Sequence, residues 1–68
     1  MEDKQVSIIY TNYKGIISYR SIIPKKIIFS SNKWHKEQQW LLIAYDIEKK
    51  TDRTFAIKNI LAFNTINN

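Results

Sequence analysis

The stretch Gln39–Ile60, QWLLIAYDIEKKTDRTFAIKNI, decides how this chain folds. Its first part, Trp40-Leu41-Leu42-Ile43-Ala44-Tyr45-Asp46, carries a single charge, and that charge comes last. An apolar run this short, bounded by polar residues, predicts a strand buried on both faces rather than a helix. A polar turn follows, Glu48 to Asp52, and then Arg53-Thr54-Phe55-Ala56-Ile57 alternates large and small side chains. That period of two predicts a second strand, so the pair forms a β-hairpin. Alternation places Trp40, Leu42 and Ala44 toward the core and Leu41, Ile43 and Tyr45 on the other face. A solvent-facing Leu-Ile-Tyr row would be unusually apolar, which predicts either a covering segment or a binding surface.

Upstream, Val6 to Thr11 alternates Val6, Ile8 and Tyr10 against Ser7, Ile9 and Thr11, the pattern of a first strand. Asn12-Tyr13-Lys14-Gly15 reads as a turn, with the only glycine of the chain at its end, where positive φ costs other residues most. Ile16 to Ile23 is the second strand. Pro24 cannot donate to a central ladder, so it predicts a bulge or bend before a third strand over 25–30. A polar connection from Ser31 to Gln38 holds Trp34 and His35. Strands four and five are 39–46 and 53–57, a short helical turn covers 58–61, and Ala62-Phe63 is placed to pair again. The lead Met1 to Lys4 and the Asn-rich tail from Asn64 are expected to fray. Short strands with frequent turn signals point to one all-β domain over residues 1–68, its core spanning about 6–61 and partly closed into a small barrel.

Several separated motifs resemble the WYL domain family. Trp40-Leu41-Leu42-x-Ala44-Tyr45-Asp46, a short gap, and Arg53-Thr54-Phe55-x-Ile57-x-x-Ile60 are similar to its signature. Arg20-Ser21-Ile22-Ile23-Pro24 resembles its Arg-x-hydrophobic-x-Pro element, and Ile9-Tyr10 followed by Gly15 resembles its first hairpin. Leu41 stands where the namesake tripeptide has Tyr, so this chain has no phenol there. The resemblance implies an SH3-like, Sm-type five-stranded barrel with a short helical turn near the C-terminus. It further implies a ligand-sensing module in bacterial transcriptional control or phage defence, where the domain is typically joined to a DNA-binding winged helix. No such helix lies in this sequence, so a stand-alone form, a fragment or an accessory subunit is expected.

Sixty-eight residues bury a limited core, roughly 60% of the unfolded surface, and without cysteine no disulfide or thiolate metal site supplements it. The apolar supply is good, 44% of residues with two Trp, four Tyr and three Phe. No apolar segment approaches the roughly 20 residues of a membrane-crossing helix. The acidic, polar start Met1-Glu2-Asp3 is unlike a signal peptide, and the absence of cysteine agrees with a cytoplasmic setting. Net charge is +5, which biases the domain toward anionic partners, although lysine-rich surfaces are also common solubility devices.

Catalysis is not expected. His35 is the only histidine and lies in a polar loop beside Ser30 and Ser31, with nothing to orient it as a base. Asp46, Glu48 and Asp52 are too scattered for a hard-cation loop, there is no Gly-rich phosphate loop, and neither metal nor cofactor is expected. The two arginines, Arg20 and Arg53, stand out because both fall within strands, where a planar fork can meet phosphate or carboxylate with little entropy to lose. The competing reading pairs them with an internal acid, Asp46 or Asp52. The family resemblance favours the ligand role, an anion such as single-stranded DNA, RNA or a nucleotide. Tyr45 and Tyr10 are candidate stacking surfaces, Lys26 a steering charge, and Trp34, flanked by Lys33 and Lys36, a candidate exposed aromatic edge. Two partner classes stay open besides: a DNA-binding regulator, and a homodimer or protein interaction through the apolar face.

Overall fold

The computed structural model describes residues 4–31 and 36–65. The strands are β1 (Val6–Thr11), β2 (Ile17–Ser30), β3 (Gln39–Asp46), β4 (Thr51–Ala56) and β5 (Ile60–Thr65), with a 3-10 turn at Ile57–Asn59 joining the last two. All five strands form one antiparallel sheet in the order β4-β3-β2-β1-β5. The protein is therefore all-β, as its alternating pattern and β-branched content dictate.

Two strands expected on either side of Pro24 are a single strand of 14 residues. Its first half pairs with β1 from Ile17 to Ile22, and its second half pairs with β3 from Ile22 to Ser30. The expected bulge is present between Pro24 and Lys26. At this point β2 has a neighbour on one side only among the described residues, so a residue without an N–H is tolerated and the strand bends instead of ending. Gly15 closes the β1–β2 turn at φ 80°, and the Asn12 Oδ1 accepts the N–H groups of Lys14 and Ile16.

The sheet curls. Tyr10 on β1 and Phe55 on β4 lie three strands apart, which in a flat sheet means about 14 Å. Their ring centroids are 5.1 Å apart in an edge-to-face contact. Inside the curl, Val6, Ile8, Tyr10, Ile22, Leu42, Ala44 and Phe55 form one buried cluster, with Ile57 and Ile60 packed against it. No ladder joins β4 to β5 among the described residues, so the sheet is not closed into the expected barrel. The helical turn falls at Ile57–Asn59, earlier than expected, and the segment read as a frayed tail contributes Asn64 and Thr65 to β5 opposite Ser7 and Val6.

Trp40 needs a correction. It lies on the same sheet face as Leu42, but the packed cluster ends before the strand does, and Trp40 is 57% exposed with its ring edge-on to Phe29. On the opposite face Leu41 and Ala56, partners across β3 and β4, are buried apart from the main cluster, while Ile43 and Tyr45 are half-buried. The row read from sequence as unusually apolar is thus packed at its Leu41 end.

Candidate functional site

The concave face of the sheet has two contrasting ends. At one end Asp46 closes β3 and is fully buried, with 0% of its surface exposed. An isolated buried carboxylate is strongly unfavourable, so partners are required. Its Oδ1 accepts the backbone N–H groups of Glu48 and Lys49, both at 3.1 Å, and its backbone carbonyl accepts the Lys50 N–H at 2.8 Å. The acid thereby builds the β3–β4 turn, in which Lys50 adopts φ 56°.

The other carboxylate oxygen faces both arginines. Arg20 Nε lies 3.5 Å from Asp46 Oδ2 and Arg53 Nη1 lies 3.9 Å from it. Strand pairing explains the meeting: Asp46 is opposite Ile22 and Thr51, and each arginine sits two residues from one of those partners on the same face. These distances are those of charge pairs rather than hydrogen bonds, and neither Arg20 Nε nor Asp46 Oδ2 has a hydrogen-bond partner among the described residues. The Arg20 guanidinium lies over the Tyr10 ring and that of Arg53 over the Phe55 ring, each 5.9 Å from the centroid. The result is a stack in which an edge-to-face aromatic pair supports two cations, with one acid between them. Two positive groups against one negative leave an excess of one positive charge. The arginine side chains are 21% and 37% exposed respectively, so the excess reaches solvent.

The predicted site residues separate accordingly. Arg20 and Arg53 are brought together. Tyr10 is corrected from a stacking surface to a core residue: 8% exposed, it packs on Phe55 and beneath Arg20, which leaves no open ring face for a base. Tyr45 precedes Asp46 on β3 and so points to the opposite side of the sheet from the arginines, half-buried. Lys26 is exposed beside a different feature, the apolar cleft at the other end of the concave face. Trp34 lies outside the described residues, as does His35. Among the described residues no group of His, Asp and Glu could hold a metal ion, and no helix is long and apolar enough to cross a membrane.

That cleft, of about 530 Å³, is lined by Pro24 to Ile27, Leu42, Ile57, Ile60 and Phe63. Sequence reading missed it because its walls come from segments thirty or more residues apart that meet only when the sheet curls. The sole local signal was the run of large apolar residues after Ala56, at positions 57, 60, 61 and 63.

The chain matches no protein-family model, no curated protein and no solved structure.

Proposed function

We propose that this protein is a binding module that takes an anionic group at the Arg20–Arg53 end of its concave face. One observation carries this reading: two strand-borne guanidinium groups share a single buried carboxylate and keep most of their donors uncommitted. Each guanidinium has five N–H donors. Among the described residues the one hydrogen bond from either is Arg20 Nη1 to the Tyr19 carbonyl, at 2.8 Å. Aromatic rings beneath both groups and the Asp46 charge beside them fix the guanidinium planes, so an incoming phosphate or carboxylate meets donors with little entropy left to lose. Single-stranded DNA, RNA and nucleotides are the ligands of this chemistry, and the +5 net charge steers them in.

The strand order, the bend in β2 and the helical turn ahead of β5 support an SH3-like, Sm-type scaffold as the finer description of the fold. Together with the motif resemblance to WYL domains they support ligand sensing in bacterial transcriptional regulation, exercised from the cytoplasm and without catalysis. Asp46 makes the arginines partly structural as well, and the test must respect that. Fluorescence anisotropy with labelled single-stranded DNA and RNA oligomers, at low and high salt and with a nucleoside triphosphate as competitor, is the direct measurement. Affinity should fall with salt. Arg53→Met, which leaves Arg20 beside Asp46, should weaken binding about tenfold or more while the chain stays folded. Equal binding by the variant and the parent removes the arginines from the site.

A further inference from the structure

The apolar cleft at the opposite end suggests an activity that does not rest on the arginine site. Its floor is Leu42. One wall is β2 from Pro24 to Ile27, and the other is formed by Ile57, Ile60 and Phe63. Ile27 and Phe63 are 58% and 52% exposed, and the exposed pair Phe29 and Trp40 continues the apolar surface along β2 and β3. Apolar surface left open in this way, in a 68-residue protein with little core to spare, marks a place where something docks.

The main chain around the cleft says what kind of occupant fits. Beyond Ile22, β2 is paired to β3 alone, so one edge from Ile23 to Ser30 has no ladder partner among the described residues. The opposite wall leads into β5, whose only sheet neighbour among the described residues is β1. Ile27 on one wall and Ile60 and Phe63 on the other thus belong to strand segments with one edge unpaired among the described residues. A compact small molecule would fill the apolar space and leave these edges bare, whereas an extended peptide satisfies both at once. Side-chain chemistry narrows the choice. Lys26 and Ile27 are successive strand residues and point to opposite faces, so a strand laid beside them presents alternate residues to an apolar and a cationic neighbour. Lys25 is already paired with Asp52 at 2.9 Å, but Lys26 has no ion-pair partner among the described residues.

We propose that the free edge of β2, with the adjoining cleft, is a docking site for an extended segment of a partner protein with apolar and acidic residues in alternation. The segment adds as a strand to Lys26–Ser30, its apolar side chains entering the cleft against Ile27 and Phe63 and a carboxylate on its other face meeting Lys26.

The test uses a synthetic heptapeptide, acetyl-Thr-Ile-Glu-Ile-Glu-Ile-Thr-amide, followed by backbone amide NMR on the whole chain. Binding should shift the amides of residues 26–30 and slow their hydrogen exchange. A peptide with Lys in place of Glu should bind several-fold more weakly. A peptide N-methylated at alternate residues, unable to donate to the ladder, should lose about tenfold or more in affinity. Ile27→Asp and Phe63→Asp, both at exposed positions, should keep the amide spectrum of the folded chain and lose binding. Equal binding of the methylated peptide overturns strand addition. Failure of the acidic peptide to bind, shifts confined to the arginine end, or undiminished binding by both variants overturns the site. Concentration-dependent self-association that buries these same amides without peptide assigns the edge to a second copy instead.

Discussion

The two ends of the concave face handle their unfavourable groups in opposite ways. At the Asp46 end a fully buried charge is surrounded by two arginines, two backbone N–H groups and an aromatic pair. At the cleft end large apolar side chains stand half in water with a bare strand edge beside them. The difference follows from the size of the two penalties. A buried carboxylate without partners costs several kcal/mol, which a domain of this size, stable by roughly 3–10 kcal/mol, cannot tolerate. An exposed Ile or Phe merely forgoes about 1.5–3 kcal/mol of burial, which leaves the fold intact and the surface available. The first end is therefore needed for folding whatever it binds, and the second is free to vary without unfolding the chain.

The sharpest way to break this contrast is Asp46→Ala. It leaves two cations facing each other and frees the Glu48 and Lys49 N–H groups that the side chain had accepted. A loss of about 3–5 kcal/mol is expected, enough to unfold much of the population, and urea denaturation followed by circular dichroism measures it. A loss below about 1 kcal/mol would mean that neither the charge cluster nor the side-chain bonds to the turn hold this end. Next comes Arg20→Met against Arg53→Met. Arg20 is the closer and less exposed of the two, so its loss should cost about 2–3 kcal/mol and that of Arg53 about 1 kcal/mol or less. If the order reverses, the more exposed arginine is the one that neutralises Asp46, and the proposed role in ligand binding would pass from Arg53 to Arg20.

Much of this architecture is legible in the residues. Val6 to Thr11 and Gln39 to Asp46 alternate or run apolar cleanly, and both strands occur with the expected limits. The hairpin turns at Gly15 and after Asp46 follow from local chemistry as well. Pro24 marks its bulge, but a proline signal cannot tell a break from a bend. That depends on whether the strand has neighbours on both sides, which is a tertiary matter. Trp40 illustrates the same limit: alternation assigns its face correctly, yet how far the core extends along β3 depends on where β4 and β5 end. The convergence of Arg20 and Arg53 on one acid was among the open alternatives, since spacing alone does not fix register between strands. The cleft left only the apolar run after Ala56 as a local signature, because its walls are brought together by curvature.

A smaller effect comes from the turn that Asp46 organises. Lys50 holds φ 56° because its N–H must reach the Asp46 carbonyl, and a side chain in that region is strained by about 1–2 kcal/mol. Lys50→Gly relieves the strain but adds unfolded-state freedom of about 0.5–1 kcal/mol, so a net gain of about 0.5–1 kcal/mol is expected in the urea midpoint. A loss would mean that the lysine side chain contributes contacts of its own at this end.

The smallest change belongs to the cleft. Ile27→Ser removes an exposed apolar side chain from a strand whose pairing to β3 goes through its backbone, opposite Leu42. Serine keeps the extended conformation at a modest cost in strand propensity, so stability should shift by no more than about 0.5 kcal/mol in the same urea titration. The contrast between the ends rests on this value. A loss of 2 kcal/mol or more would show that Ile27 is part of the core after all, closing the concave face from the cleft side just as Asp46 and its arginines close it from the other.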